Sequence, residues 1–104
     1  MSIITCPTDV VAAPAERIWA LLVDPEALAR WTGVRLRSGP GRTLRAGDRL
    51  RFSAELGLPV TFDILGVEPP RTLIVDVTLP LGISNHEVIQ LSPLDSGRCR
   101  VTFN

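Results

Sequence analysis

His86 and Glu87 stand side by side in the stretch NHEVIQL, where the residue types of this chain come closest to acid and base chemistry. Neighbouring side chains of an extended strand point to opposite faces. Ile89 and Leu91 are apolar, so Glu87 shares their inner face while His86 points outward. A carboxyl group buried in an apolar pocket gains proton affinity, the condition for general acid or base work. The same carboxyl near a strand end stays solvated and has no such role. His86 is the single histidine; one imidazole cannot assemble a metal site, and it reads as a surface residue. Glu87 is therefore the one catalytic candidate, and neither a metal nor a cofactor is expected.

The chain holds no HExxH, CxxC pair, GxSxG elbow or glycine-rich phosphate loop. It has no tyrosine, and all eleven of its cationic residues are arginine, which removes Schiff-base chemistry and the phosphate-loop lysine. Few groups are left to polarise a carbonyl, which favours binding over catalysis. The candidates for binding are apolar: Trp31, Phe52, Phe62, Val75, Ile89 and Leu91, with Glu87 among them. Each of these also reads as ordinary sheet core or, for Trp31, helix packing. Asp63 and Asp76 alternate with Phe62 and Val75, should face solvent, and receive no role.

The elements that must position these residues follow from spacing. Ile3 to Val11 is β-branched and roughly alternating, a first strand. Pro14 and Glu16 open a helix in which Ile18, Leu21 and Leu22 recur beside Trp19, and the Ile18, Trp19 and Leu22 face should lie on a sheet. Asp24-Pro25 starts a second short helix, to about Trp31, that Gly33 ends. From there the period becomes two. Arg35 to Ser38 is a short strand; Leu50, Phe52, Ala54 and Leu56 form the inner face of the next, before a break at Gly57-Leu58-Pro59. Val60 to Val67, Leu73 to Leu79, Ile83 to Ser92 and Cys99 to Phe103 complete a meander. The expectation is one strand, two helices and six more strands in a single α+β domain spanning residues 1–104.

Charge and composition bound the partners. Eleven arginines against eleven acids leave a net charge of zero, so there is no global attraction to nucleic acid or to a membrane. Six arginines, at 35, 37, 42, 45, 49 and 51, crowd one hairpin against Asp48 alone. They read as a solvated edge that resists sheet-to-sheet pairing, or as a contact for an anionic partner such as a phospholipid head group, an acyl-carrier domain or, least of all, RNA. No apolar run approaches the ~18 residues of a membrane span, and the start MSIITCPTDVV, without a cationic stretch or a long apolar run, reads as mature protein and not as a signal peptide. The expectation is a cytoplasmic protein without membrane insertion, with Cys6 and Cys99 as reduced thiols filling small core positions.

The element order, the block AAPAERIWALLVDPEALARWTG, the turn EPPRTL and the ending SPLDSGRCRVTF resemble the START-like, Bet v 1-like superfamily (SRPBCC), within it the polyketide cyclase/dehydrase and lipid-transport group. The resemblance covers essentially the whole chain and implies a helix-grip fold: a strongly curved seven-stranded antiparallel sheet around a hydrophobic cavity that holds lipids, polyketides or other small apolar ligands. Family members end in a long C-terminal helix across the mouth of the sheet, whereas this sequence stops at Asn104, where the last strand would end. The uncovered inner face would exceed the ~400 Å² of apolar patch tolerated by a soluble monomer, and a homodimer that closes it is expected. Three functions follow from the resemblance: a non-catalytic carrier or sensor of a small hydrophobic ligand, which the residues favour; an aromatase/cyclase-type enzyme; and a protein-interaction module using the open sheet.

Overall fold

A computed structural model describes residues 8–103. The order is β1 (Thr8–Val11), α1 (Ala15–Leu22), α2 (Pro25–Thr32), β2 (Arg35–Ser38), β3 (Arg49–Ser53), β4 (Pro59–Glu68), β5 (Thr72–Thr78), β6 (Ser84–Asp95) and β7 (Arg98–Phe103). The seven strands form one antiparallel sheet in the order β1-β7-β6-β5-β4-β3-β2, a meander from β2 to β7 with β1 added beyond β7. The sheet is curved and open, both helices lie between its first and second strands, and no helix follows β7 among the described residues. The α+β helix-grip architecture expected from the sequence is present. Cys6 and the start of the expected first strand lie outside the described residues.

Short helices need defined ends. Pro14 precedes α1, where it lacks nothing, because the first helical N–H groups have no carbonyl partner in the helix. Asp24 accepts a hydrogen bond from the Glu26 N–H at 3.1 Å, and Gly33 closes α2 with a left-handed backbone. Trp19 and Leu22 of α1 are buried, with Ile18 at their margin. Leu21, expected in the same apolar stripe, is turned to solvent.

Alternation then sorts the strands. Leu50 and Phe52 of β3, Val60, Phe62 and Ile64 of β4, Leu73, Val75 and Val77 of β5, Glu87, Ile89 and Leu91 of β6, and Cys99, Val101 and Phe103 of β7 share the inner face. A bulge between Ile64 and Gly66 shifts the β4 register and returns Val67 to that face opposite Leu73. The ten-residue link from β2 to β3 folds over the lower end of the face. Its Leu44 is buried, and the Leu44 N–H donates to the Val23 carbonyl at 2.8 Å, which ties the link to the end of α1.

Two links close at the opposite, upper end, and here the strand reading needs correction. β3 stops at Ser53, so Leu56 is not an inner-face strand residue: it is the tip of the turn Glu55–Gly57 and is 99% exposed. Leu81, in Pro80–Gly82 between β5 and β6, repeats it at 96%. Both leucines have positive φ, 61° and 68°, and each precedes a glycine of positive φ. The Ala54 N–H donates to the Leu58 carbonyl at 2.8 Å, and Leu79 makes the same bond to Ile83 at 2.7 Å. Two successive positive φ values match the right-handed twist of hairpin strands, and Asn-Gly or Asp-Gly normally supplies them. Leucine there costs on the order of 1 kcal/mol per tip, because its Cβ crowds the following carbonyl.

Candidate ligand-binding site

The inner face is fully buried over part of its area and half-buried over the rest. Beneath α1, α2 and Leu44, the side chains of Leu50, Ile64, Leu73, Val75, Ile89, Leu91, Cys99 and Val101 form a closed core with Trp19, Leu22 and Leu28. Towards the upper end of β5 and β6 the burial given by the described residues lessens. Phe62, Val77 and Leu79 remain half-buried at the margin of the core. The ring of Phe62 meets that of Phe52 edge to face, with centroids 4.8 Å apart and planes at 67°, so Phe62 is where the closed core gives way to the opening.

Trp31 lies on the helix side. It projects from the last turn of α2 and stacks on Phe103 at the end of β7, centroids 5.5 Å apart and planes at 19°, while remaining 54% exposed. Helix layer and sheet are thus joined by an aromatic contact that presents one side to solvent. Glu87 lies across from Val75 on the inner face, half-buried, with Asn85 two residues before it on the same face opposite Val77. On β3 to β7 of the described residues, Glu87 is the only acidic or basic side chain whose register turns it inward.

The expected binding residues therefore fall into two groups. Trp31, Phe62 and Glu87 border the opening, whereas Phe52, Val75, Ile89 and Leu91 are at most 4% exposed and belong to the closed core. Val77, Leu79 and Phe103 complete the border. They carry the same alternation as the expected residues, and Phe103 is singled out only by its contact with Trp31, which joins positions far apart in sequence.

The outer face holds the charges. Arg49, Asp63, Asp76 and His86 occupy one row across β3, β4, β5 and β6. Arg49 Nε donates to Asp63 Oδ1 at 2.6 Å, and His86 Nδ1 lies 2.6 Å from Asp76 Oδ1. The bond to Asp63 raises the Arg49 guanidinium further above its ordinary value. This row sets the two carboxylates opposite each other, each with a basic partner on its far side, a structural arrangement facing away from the opening. His86, Asp63 and Asp76 point outward as their parity requires. In the β2–β3 link, Asp48 takes two hydrogen bonds from Arg42, at 2.9 and 3.0 Å, and one from the Arg45 N–H at 2.7 Å. These hold its carboxyl below the usual range, the Arg42 bond foremost. A separate shallow hollow of about 480 Å³ lies between Glu68, Arg71, Thr72, Gln90, Ser92 and Pro93, away from the opening. Among the described residues no three His, Cys, Asp or Glu side chains converge as a metal site, and no helix is long and apolar enough to cross a membrane.

Comparison with known proteins agrees with this fold. The model of the family described as polyketide cyclase / dehydrase and lipid transport matches residues 8–104. DynU16, from the dynemicin biosynthetic locus, is similar in structure with a TM-score of 0.73 and 19% identity over 96% of this chain. The chain spans only 36% of DynU16. MLL2253 from Mesorhizobium loti has a TM-score of 0.69 and 24% identity, over 94% of this chain and 76% of its own. CalU16 from Micromonospora echinospora has a TM-score of 0.66 and 24% identity, over 92% of this chain and 56% of its own. At these identities the likeness is one of fold. Comparison with curated proteins finds no match.

Proposed function

The chain belongs to the polyketide cyclase / dehydrase and lipid transport family, and from that premise we propose that it binds a small hydrophobic molecule at the bare part of its inner face, as a non-catalytic carrier or sensor. One observation carries this reading. An apolar inner face, closed at one end by helices, is left open beside Phe62, Val77, Leu79 and the Trp31–Phe103 stack. An apolar ligand there removes both its own surface and that of the border from water, at ~25 cal/mol per Å². Glu87 and Asn85 supply the few polar contacts that orient such a ligand.

Native mass spectrometry of the purified protein tests the reading. A retained small molecule of discrete mass is expected, and Phe62→Arg should abolish its retention while the fold persists, because Phe62 is only half-buried. Retention unchanged by Phe62→Arg would remove the ligand from this site.

A second reading, a cyclase-type enzyme, is favoured by one detail: Glu87 and Asn85 lie two residues apart on one face. A carboxylate could take a proton from the carbon between two carbonyls while the amide N–H stabilises the enolate oxygen. With a poly-β-keto substrate, turnover abolished by Glu87→Gln with retention intact would establish the enzyme; no turnover by the unaltered protein would leave the carrier.

A further inference from the structure

The two upper tips are alike in a way that neither folding nor the ligand site explains. Leu56 and Leu81 occupy equivalent positions in two hairpin links, project fully into solvent, and hold a backbone conformation that asparagine or glycine would adopt more readily. Links that alternate along a meander emerge at the same end of the sheet, so the tips stand side by side, ~10 Å apart at two strand spacings. Each is followed by a second exposed apolar residue, Leu58 and Ile83. Isolated knobs of this kind find no complementary surface on their own chain.

A second feature lies at the base of the first tip. Arg37 Nε donates to Ser53 Oγ at 2.7 Å, which draws its guanidinium to the last residue of β3. Arg35 is the cross-strand partner of Ser53, and Arg51 lies two residues below it on the same outer face. All three are exposed, and among the described residues none is ion-paired, in contrast to Arg42, Arg49 and Arg98. Unpaired arginines behind exposed leucines match a surface that is apolar in depth and anionic at its margin.

We propose that the β3–β4 and β5–β6 tips seat the protein on an anionic phospholipid surface, Leu56 and Leu81 entering the head-group and acyl boundary while Arg35, Arg37 and Arg51 meet lipid phosphates. Such a seat uses side chains and short turns, so no membrane-spanning run is needed. Arginine stems are long enough to follow the leucines to the interface while their charges remain among the head groups. The overall charge of zero does not oppose this, because attraction acts within a Debye length of the local cluster. Glu55, beside Leu56, is the one acid within the tip turns and weakens the attraction without reversing the three-to-one local balance.

Flotation with phosphatidylcholine vesicles, alone and with about a third phosphatidylglycerol, tests the seat, since the anionic lipid supplies the surface potential. The protein should float with the anionic vesicles, and less so at high salt. Leu56→Asn with Leu81→Asn should reduce vesicle affinity at least about tenfold, and should raise Tm by a few degrees, because asparagine tolerates the left-handed backbone. Replacing Arg35, Arg37 and Arg51 by glutamine should cost on the order of fivefold for each arginine lost. Failure of the unaltered protein to float, equal flotation on uncharged vesicles, or flotation unmoved by the leucine pair would each overturn the proposal. So would light scattering that shows a homodimer dissociated by the same pair, which would assign the tips to self-association. The two asparagines leave Phe62 in place, so loss of flotation with a retained ligand separates this surface from the ligand site.

Discussion

The covered and the bare parts of the inner face are built from the same sequence pattern and end in different physical states. Leu50, Ile64 and Val75 take the inner face by strand parity, under the helices and Leu44, and are almost wholly removed from water. Val77 and Phe62 continue that parity on the same strands and Leu79 follows β5, yet all three remain half-buried at the margin of the core among the described residues. Alternation therefore assigns a side chain to a face; it does not decide whether that face is sealed. A chain can carry core-like residues in a position that is not sealed from solvent.

Substitutions on the two sides of this boundary should separate them. Phe52→Ala, in the sealed part, should lower unfolding stability by about 3–5 kcal/mol, the cost of a large core cavity, read by urea denaturation. Phe62→Ala, its edge-to-face neighbour, should lower it by only about 1–2 kcal/mol, since solvent already reaches the site. Equal losses would erase the boundary drawn here.

The link that seals the lower end offers a smaller and pH-dependent test. Asp48 holds the link through Arg42 and the Arg45 N–H, and its carboxyl is depressed in the folded protein. Its contribution is thus complete above the ordinary carboxylate pKa and is lost as pH falls below ~4 through the depressed folded value. Asp95, depressed by the Gly97 N–H and then by Arg98, behaves alike. Tm should fall in that acid range, and Asp48→Asn should cost about 1 kcal/mol near neutrality while flattening the acid decline. A decline of unchanged steepness would place its origin elsewhere. Least affected should be the outer face, where His86→Ala breaks an exposed pair with Asp76 and should change stability by about 0.5 kcal/mol or less. Thermal melts at neutral pH would detect any larger role.

Much of this architecture was legible from residue types. The Asp24-Pro25 start and Gly33 stop of α2 state their own chemistry, and the parity of Ile89 and Leu91 placed Glu87 inside and His86 outside, as the register has them. Leu56 was misplaced for an equally physical reason. Alternation continued through Ala54 and Leu56, while the Gly57 that follows was taken to end the strand, when together with Leu56 it forms the turn. The division of the binding candidates was also out of reach, since Phe52 and Phe62 have identical side chains and the same face, and differ only in what lies above them.

By itself the sequence determined the elements, their order and, within the strands, the face most side chains take, because these depend on periods of 2 and 3.6 residues and on local turn chemistry. Only the tertiary structure decided which part of the inner face stays open, that Trp31 meets Phe103, and that two exposed leucines stand together at one end. Those are contacts between positions distant along the chain, set by sheet curvature and helix placement, and no local pattern encodes them.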